Sequence, residues 1–178
     1  MIGDQAAARA SMIRVDQAGE YGATRIYAGQ LAMLGDRHPM GREIAHMAEQ
    51  EKRHLDAFDR LMAERGVRPT ALQPFWNVAG FALGAVTAAI GPKAAMACTV
   101  AVETEIDAHY REQLAELGDS DPALAEMIEE FRQEEVEHKE AALAAGAISP
   151  LPCQEHPGET ADTERSARNA ATGVGDDG

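Results

Sequence analysis

Residues 134–141 read EEVEHKEA, and which of these charges face inward decides how the chain folds. Glu135 and His138 are three positions apart. On an α-helix that spacing sets a carboxylate and an imidazole about 60° apart around the axis and roughly one turn along it, where one cation can touch both. The apolar stripe of the segment runs Leu124, Ile128, Phe131, then Glu135 and His138, then Ala142. The pair therefore falls inside the buried face. Glu134, Glu137, Lys139 and Glu140 fall on the solvated side.

The same pattern recurs upstream. Glu51 and His54 lie within the stripe Ile44, Met47, Leu55, Phe58, Met62. A third pair, Glu43 and His46, shares a neighbouring line with Gln50, Arg53 and Arg60, which reads as a solvated face. Two further acids point inward. Glu20 lies on the line Ile13, Gln17, Thr24, Tyr27, Leu31, Leu34, and Glu103 sits beside Val102 among Val100, Ile106, Tyr110, Leu114 and Leu117. An inward ionised carboxylate costs several kcal/mol unless it is paired or coordinates a metal. Four of them with two histidines are tolerable around two divalent cations and prohibitive without them.

Order adds a constraint. Glu20 precedes Glu51 by 31 residues and Glu103 precedes Glu135 by 32, so each half of the chain reads Glu, then Glu-x-x-His. That is the ligand pattern of ferritin-like di-iron and di-manganese carboxylate bundles. Oxygen-rich ligation with two imidazoles suits iron or manganese better than zinc or copper.

The rest of the chain fits an all-α, four-helix bundle. Its 178 residues suit one domain with a sizeable core, and aromatic residues are scarce at 4% beside abundant helix formers. Four amphipathic segments are expected over about 4–34, 40–65, 92–117 and 122–146. Gly66 is a C-cap with Pro69 just beyond, Gly118 closes the third segment, and Asp121 with Pro122 opens the fourth. Between the second and third lies PFWNVAGFALGAVTAAIG (74–91), eighteen residues without a charge. It reads either as a buried crossover helix or as a segment that dips into a membrane interface. Its Gly80 and Gly84 form a GxxxG pair. Residues 1–146 form the helical domain in this reading, and 147–178 have too few large apolar side chains to order themselves.

A formal charge of −14 argues against nucleic acid, which requires a Lys/Arg footprint. Two cysteines, Cys98 and Cys153, give no disulfide framework and fit a reducing compartment. The first residues lack the basic-then-apolar layout of a signal peptide, so synthesis in the cytosol is expected. Asp16 and Asp107, one turn from Glu20 and Glu103, are candidate acceptors for the metal-binding histidines. Tyr110 reads as a core tyrosine, His109 as an exposed residue on its flank, and His38 and His156 carry no role.

At RVDQAGEYGATRIYAGQLAML, EQEKRHLDAF, RPTALQPFWNVAGFALGA, AMACTVAVETEIDAHY and EEVEHKEAAL the chain resembles the demethoxyubiquinone hydroxylases of ubiquinone biosynthesis, over about residues 11–145. Carried over position by position, the resemblance implies that Glu20, Glu51, His54, Glu103, Glu135 and His138 ligate two iron ions. It implies roles beside the metals or in electron transfer for His109 and Tyr110. The implied reaction is O2-dependent hydroxylation of a polyprenyl demethoxy-benzoquinol, with NADH as a reductant acting through the bound quinone. The implied setting is peripheral, on the cytoplasmic side of the cell inner membrane, as a homo-oligomer or in a complex of ubiquinone-biosynthesis proteins. Family members continue after the last of these motifs with a further apolar helix, and residues 147–178 do not read as one.

Two other classes stay open on the residues alone. A soluble iron-handling or peroxide-reducing protein would share the bundle but has no need of the apolar run around Trp76. A helical membrane-docking protein without catalysis would leave the inward carboxylates unexplained.

Overall fold

The computed structural model describes residues 2–35 and 37–146; the expected disordered tail, 147–178, lies outside the described residues. Helix α1 spans Ile2–Leu34, α2 Pro39–Arg65, α3 Gln73–Ile90, α4 Pro92–Leu117 and α5 Pro122–Ala144, with a 3-10 turn at Gly118–Ser120. There is no strand among the described residues, and the fold is an all-α helical bundle.

Local chemistry sets the helix ends. Gly66 closes α2 in the left-handed region, at φ 66°, where a side chain would be strained. Asp121 opens α5 by accepting from the Leu124 amide at 3.3 Å, with Pro122 at the first helical position. His38, given no role above, caps α2: its Nδ1 accepts from the Met40 amide at 3.2 Å.

Two apolar clusters fix the helix directions. One joins Ile13 of α1, Phe58 and Met62 of α2, Tyr110 and Leu117 of α4, and Leu124, Ile128 and Phe131 of α5. The other joins Tyr27, Ile44, Met47, Met96, Val100 and Ala142 from the same four helices. Chain order within the clusters makes α1 and α5 run one way and α2 and α4 the other. Because α2 and α4 are parallel, a crossover must carry the chain back along the bundle, and α3 does so. On every one of the four helices the inward acids and histidines fall between the two clusters, at mid-height.

Helix α3 packs chiefly on α1, by its small residues. Gly80, Gly84 and Ala88 are its buried positions. A Cβ on Gly84 would fall on the Ile26 carbonyl oxygen, and one on Gly29 would fall on that of Phe81. The backbones therefore approach as only glycine allows. This corrects the reading of a buried crossover helix. Its large side chains point outward: Val78 is 69% exposed and Ile90 74%, with Phe75, Leu83 and Val86 also exposed. No helix among the described residues is long and apolar enough to cross a membrane.

Candidate metal centre

Glu20 from α1, Glu51 and His54 from α2, Glu103 from α4, and Glu135 and His138 from α5 are all buried. They converge as two overlapping groups. Glu20, Glu51, His54 and Glu135 form one; Glu51, Glu103, Glu135 and His138 form the other. Within each group, one potential ligand atom per residue lies within 4.8 Å of every other. Glu51 and Glu135 belong to both, which places them between the two positions a pair of cations would take. His54 Nδ1 lies 3.1 Å from Glu135 Oε1 and 3.6 Å from Glu20 Oε2. His138 Nδ1 lies 3.1 Å from Glu51 Oε1 and 3.3 Å from Glu135 Oε2.

Both oxygens of Glu51 and of Glu135, one oxygen each of Glu20 and Glu103, and Nδ1 of both histidines are buried without a hydrogen-bond partner. Buried polar atoms are ordinarily satisfied, and a concentration of orphans at one depth of one core calls for an ion. The donor set, oxygen-rich with two imidazoles, fits a pair of iron or manganese ions.

Protonation in the metal-free protein follows from the same crowding. Burial, then the charges of Glu135, Glu20 and Glu103, push Glu51 well above the usual carboxylate range. Burial and Glu135 do the same to Glu103. Burial also acts to raise Glu135, but the closeness of Glu103, His138 and His54 outweighs it and holds this carboxyl low. For His54 burial works toward the neutral form, yet Glu135 and Glu20 prevail and lift it to about 10. Protons thus occupy the space where cations would sit.

Two tyrosines brace the outer carboxylates. Tyr110 on α4 donates to Glu20 Oε1 on α1, and Tyr27 on α1 donates to Glu103 Oε1 on α4. Burial, then the adjacent carboxylates, raise both phenols well above their ordinary value, so both remain donors. Tyr27 went unassigned in the sequence reading. Its signal was present: Tyr27 follows Glu20 by seven residues, as Tyr110 follows Glu103.

The outer faces of the histidines correct two expectations. Asp16 is 3.2 Å from His109 and 2.6 Å from Gln113, and Asp107 pairs with Arg111, Arg132 and Lys139. Neither touches His54 or His138. The acceptors are instead Glu134, 3.0 Å from His54 Nε2, and Gln50, 3.1 Å from His138 Nε2. Glu134, assigned above to the solvated face, is only 19% exposed, and Gln50 is half-buried. His46 is exposed, as expected. His109 is 40% exposed while Tyr110 is buried.

Beside this centre an apolar cavity of about 700 Å³ opens between α1, α3 and α4. Gly19, Ala23, Val102 and Ile106 in its wall are one residue or one turn from Glu20 and Glu103, and Trp76 and Leu83 line it from α3. Arg14, Thr70 and Glu105 are its polar members.

A bundle with Glu and Glu-x-x-His supplied by each half, meeting at mid-height, defines the ferritin-like class of carboxylate proteins. Within it the chain belongs to the family described as ubiquinone biosynthesis protein COQ7, matching that family's model over residues 7–155. It is 56% identical over 135 residues to a protein of Rhodospirillum rubrum named 3-demethoxyubiquinol 3-hydroxylase, covering 76% of this chain and 64% of that one. It is 55% identical over 136 residues to the mouse protein named NADPH-dependent 3-demethoxyubiquinone 3-hydroxylase, mitochondrial, covering 74% and 62%. With the Saccharomyces cerevisiae 5-demethoxyubiquinone hydroxylase, mitochondrial, it shares 42% identity over 164 residues, covering 83% and 70%. The chain thus spans less than two thirds of the length of the first two relatives. The mouse protein's name specifies NADPH, where the sequence reading expected NADH.

Proposed function

We propose that this chain is an O2-dependent hydroxylase of a polyprenyl demethoxy-benzoquinol. Two iron ions would be held by Glu20, Glu51, His54, Glu103, Glu135 and His138. The observation that carries the reading is the set of unpartnered oxygens and imidazole nitrogens at the centre of the core. The names of the bacterial and mouse relatives supply the substrate class.

Iron, when bound, supplies Lewis acidity and the electrons that reduce O2. The chain's own residues do the rest. The cavity between α1, α3 and α4 takes the quinol ring against the wall near Glu20 and Glu103 and keeps water from it. Its apolar mouth along α3 guides the isoprenoid tail. Tyr110 and Tyr27 each hold a proton on the phenol and orient Glu20 and Glu103 by donating it. His109, partly exposed and bonded to Asp16, serves with Tyr110 as a path for electrons and protons from outside. Placing one oxygen atom in a ring C–H bond while the other leaves as water consumes two electrons and two protons. A reduced nicotinamide coenzyme supplies the electrons, NADPH being the one named for the mouse relative.

The outward apolar residues of α3 support peripheral docking to a membrane, where such a substrate resides. We assign the docking to the cytoplasmic side of an inner membrane in a bacterial cell. The relatives from mouse and yeast are named mitochondrial. Residues 1–146 form the catalytic domain in this reading.

The test is to load the protein anaerobically with Fe(II), add O2 and a short-chain demethoxyquinol, and follow the product by mass spectrometry. A product heavier by one oxygen atom, absent in Glu135→Ala, is the expected outcome. In Gly22→Leu, which fills the cavity without touching the ligands, KM should rise with iron content unchanged. Peroxide turnover without any quinol product would favour an iron-handling or peroxide-reducing protein instead.

A further inference from the structure

The two halves of the candidate centre match residue for residue. Glu20 corresponds to Glu103, Tyr27 to Tyr110, Glu51 to Glu135 and His54 to His138, and each tyrosine braces the other half's glutamate. The positions just before the two Glu-x-x-His motifs, Gln50 and Glu134, also correspond, and each reaches across the α2–α5 seam to the other half's histidine. Here the chemistry of the halves parts. His54 is backed by a carboxylate and His138 by an amide.

The two partners also touch, Gln50 Nε2 donating to Glu134 Oε2 at 3.1 Å. This contact orients the Gln50 amide and, through it, the outer nitrogens of the histidines. An ionised Glu134 can only accept, so Gln50 must present its amino group to it and its carbonyl oxygen to His138. His138 Nε2 must then carry the proton, as must His54 Nε2 facing Glu134. Each Nδ1 faces the core carboxylates, 3.1 Å from the nearest oxygen, and is the nitrogen left to bind a cation once any proton on it is displaced. Arg53 also donates to Glu134 Oε2, at 2.9 Å, from a side chain largely in solvent. It meets the same oxygen as His54 and leaves the bond to His54 in place.

We propose that Gln50 and Glu134 are positioning residues that set both histidine tautomers and make the two metal positions unequal, the Glu20–His54 position filling first. The physical ground is that an imidazole donating to a carboxylate is the more basic ligand, and such outer partners change metal affinity about 10- to 100-fold. The inference rests on the reading of the six residues as a two-metal centre.

The experiment titrates the full-length, metal-free protein with Co(II) alone, following heat and visible absorption. Wild type should bind two ions in steps separated by about tenfold or more. Glu20→Ala should remove the tight step and Glu103→Ala the weak one. Glu134→Gln should weaken the first step toward the second. The exchange Gln50→Glu with Glu134→Gln moves the carboxylate behind His138 and keeps the contact between the partners. In that background Glu103→Ala, not Glu20→Ala, should remove the tight step. Two ions bound equally in wild type, or a filling order unchanged by the exchange, would overturn the proposal and leave the two-metal reading intact. Absence of any bound Co(II) in wild type would overturn both.

Discussion

Glu51 has both carboxylate oxygens buried without a partner, and its proton is held there only by burial and three neighbouring acids. Such a residue is a liability in the metal-free protein. Glu51→Leu should stabilise that form by about 1–3 kcal/mol, the desolvation cost of a buried polar group left unsatisfied. The same variant should lose all stabilisation by added Fe(II). Calorimetric melting with and without the metal measures both effects. Protons and cations also compete. Uptake requires that Glu51 and Glu103, both raised, and His54, raised to about 10, give up protons. Affinity should therefore climb as pH rises toward those values and fall as pH drops. Titration at constant pH in buffers of different ionisation enthalpy should show proton release; identical heats in all buffers would contradict it.

At the scale of elements the decisive contact is between α1 and α3. A Cβ at Gly84 would collide with the Ile26 carbonyl, and backbone cannot swing aside as a side chain can. Gly84→Ala should destabilise by about 1–3 kcal/mol despite its better helix propensity. Gly22→Ala, with open space around the added methyl, should be neutral or gain up to about 1 kcal/mol. Chemical denaturation of the pair distinguishes them. Periodicity made the four bundle helices legible, and the helix ends followed from Gly66, Asp121 and Pro122. Whether α3 is buried stayed open in the sequence, because apolarity alone does not tell which side packs. Where two backbones meet, the packed side is the glycines and alanines, and the large side chains are left outside. Gln50 and Glu134 were misplaced for a related reason. Each flanks a ligand on its own helix, and only the pairing of α2 with α5, which no single helical wheel contains, turns it toward a histidine.

The whole molecule combines a polar layer between two apolar clusters with an apolar outer face. The six candidate residues were legible because four carboxylates and two imidazoles on apolar stripes stand out in a sequence, and all six are buried together. The outer face has a separate consequence. Phe75, Val78 and Val86 point away from the bundle on α3, so changing all three to Ser should leave the melting temperature nearly unchanged. The same change should reduce co-flotation with phospholipid vesicles several-fold. Equal flotation of the two proteins would remove α3 from the account of how substrate is reached.

Iron stoichiometry tests the central claim most directly. Equilibrium dialysis of the metal-free chain against Fe(II) without oxygen should give two ions per chain. Glu135→Ala, which takes away the residue shared by both positions, should bind fewer than one. A wild-type chain that binds no more iron than this variant would contradict the account.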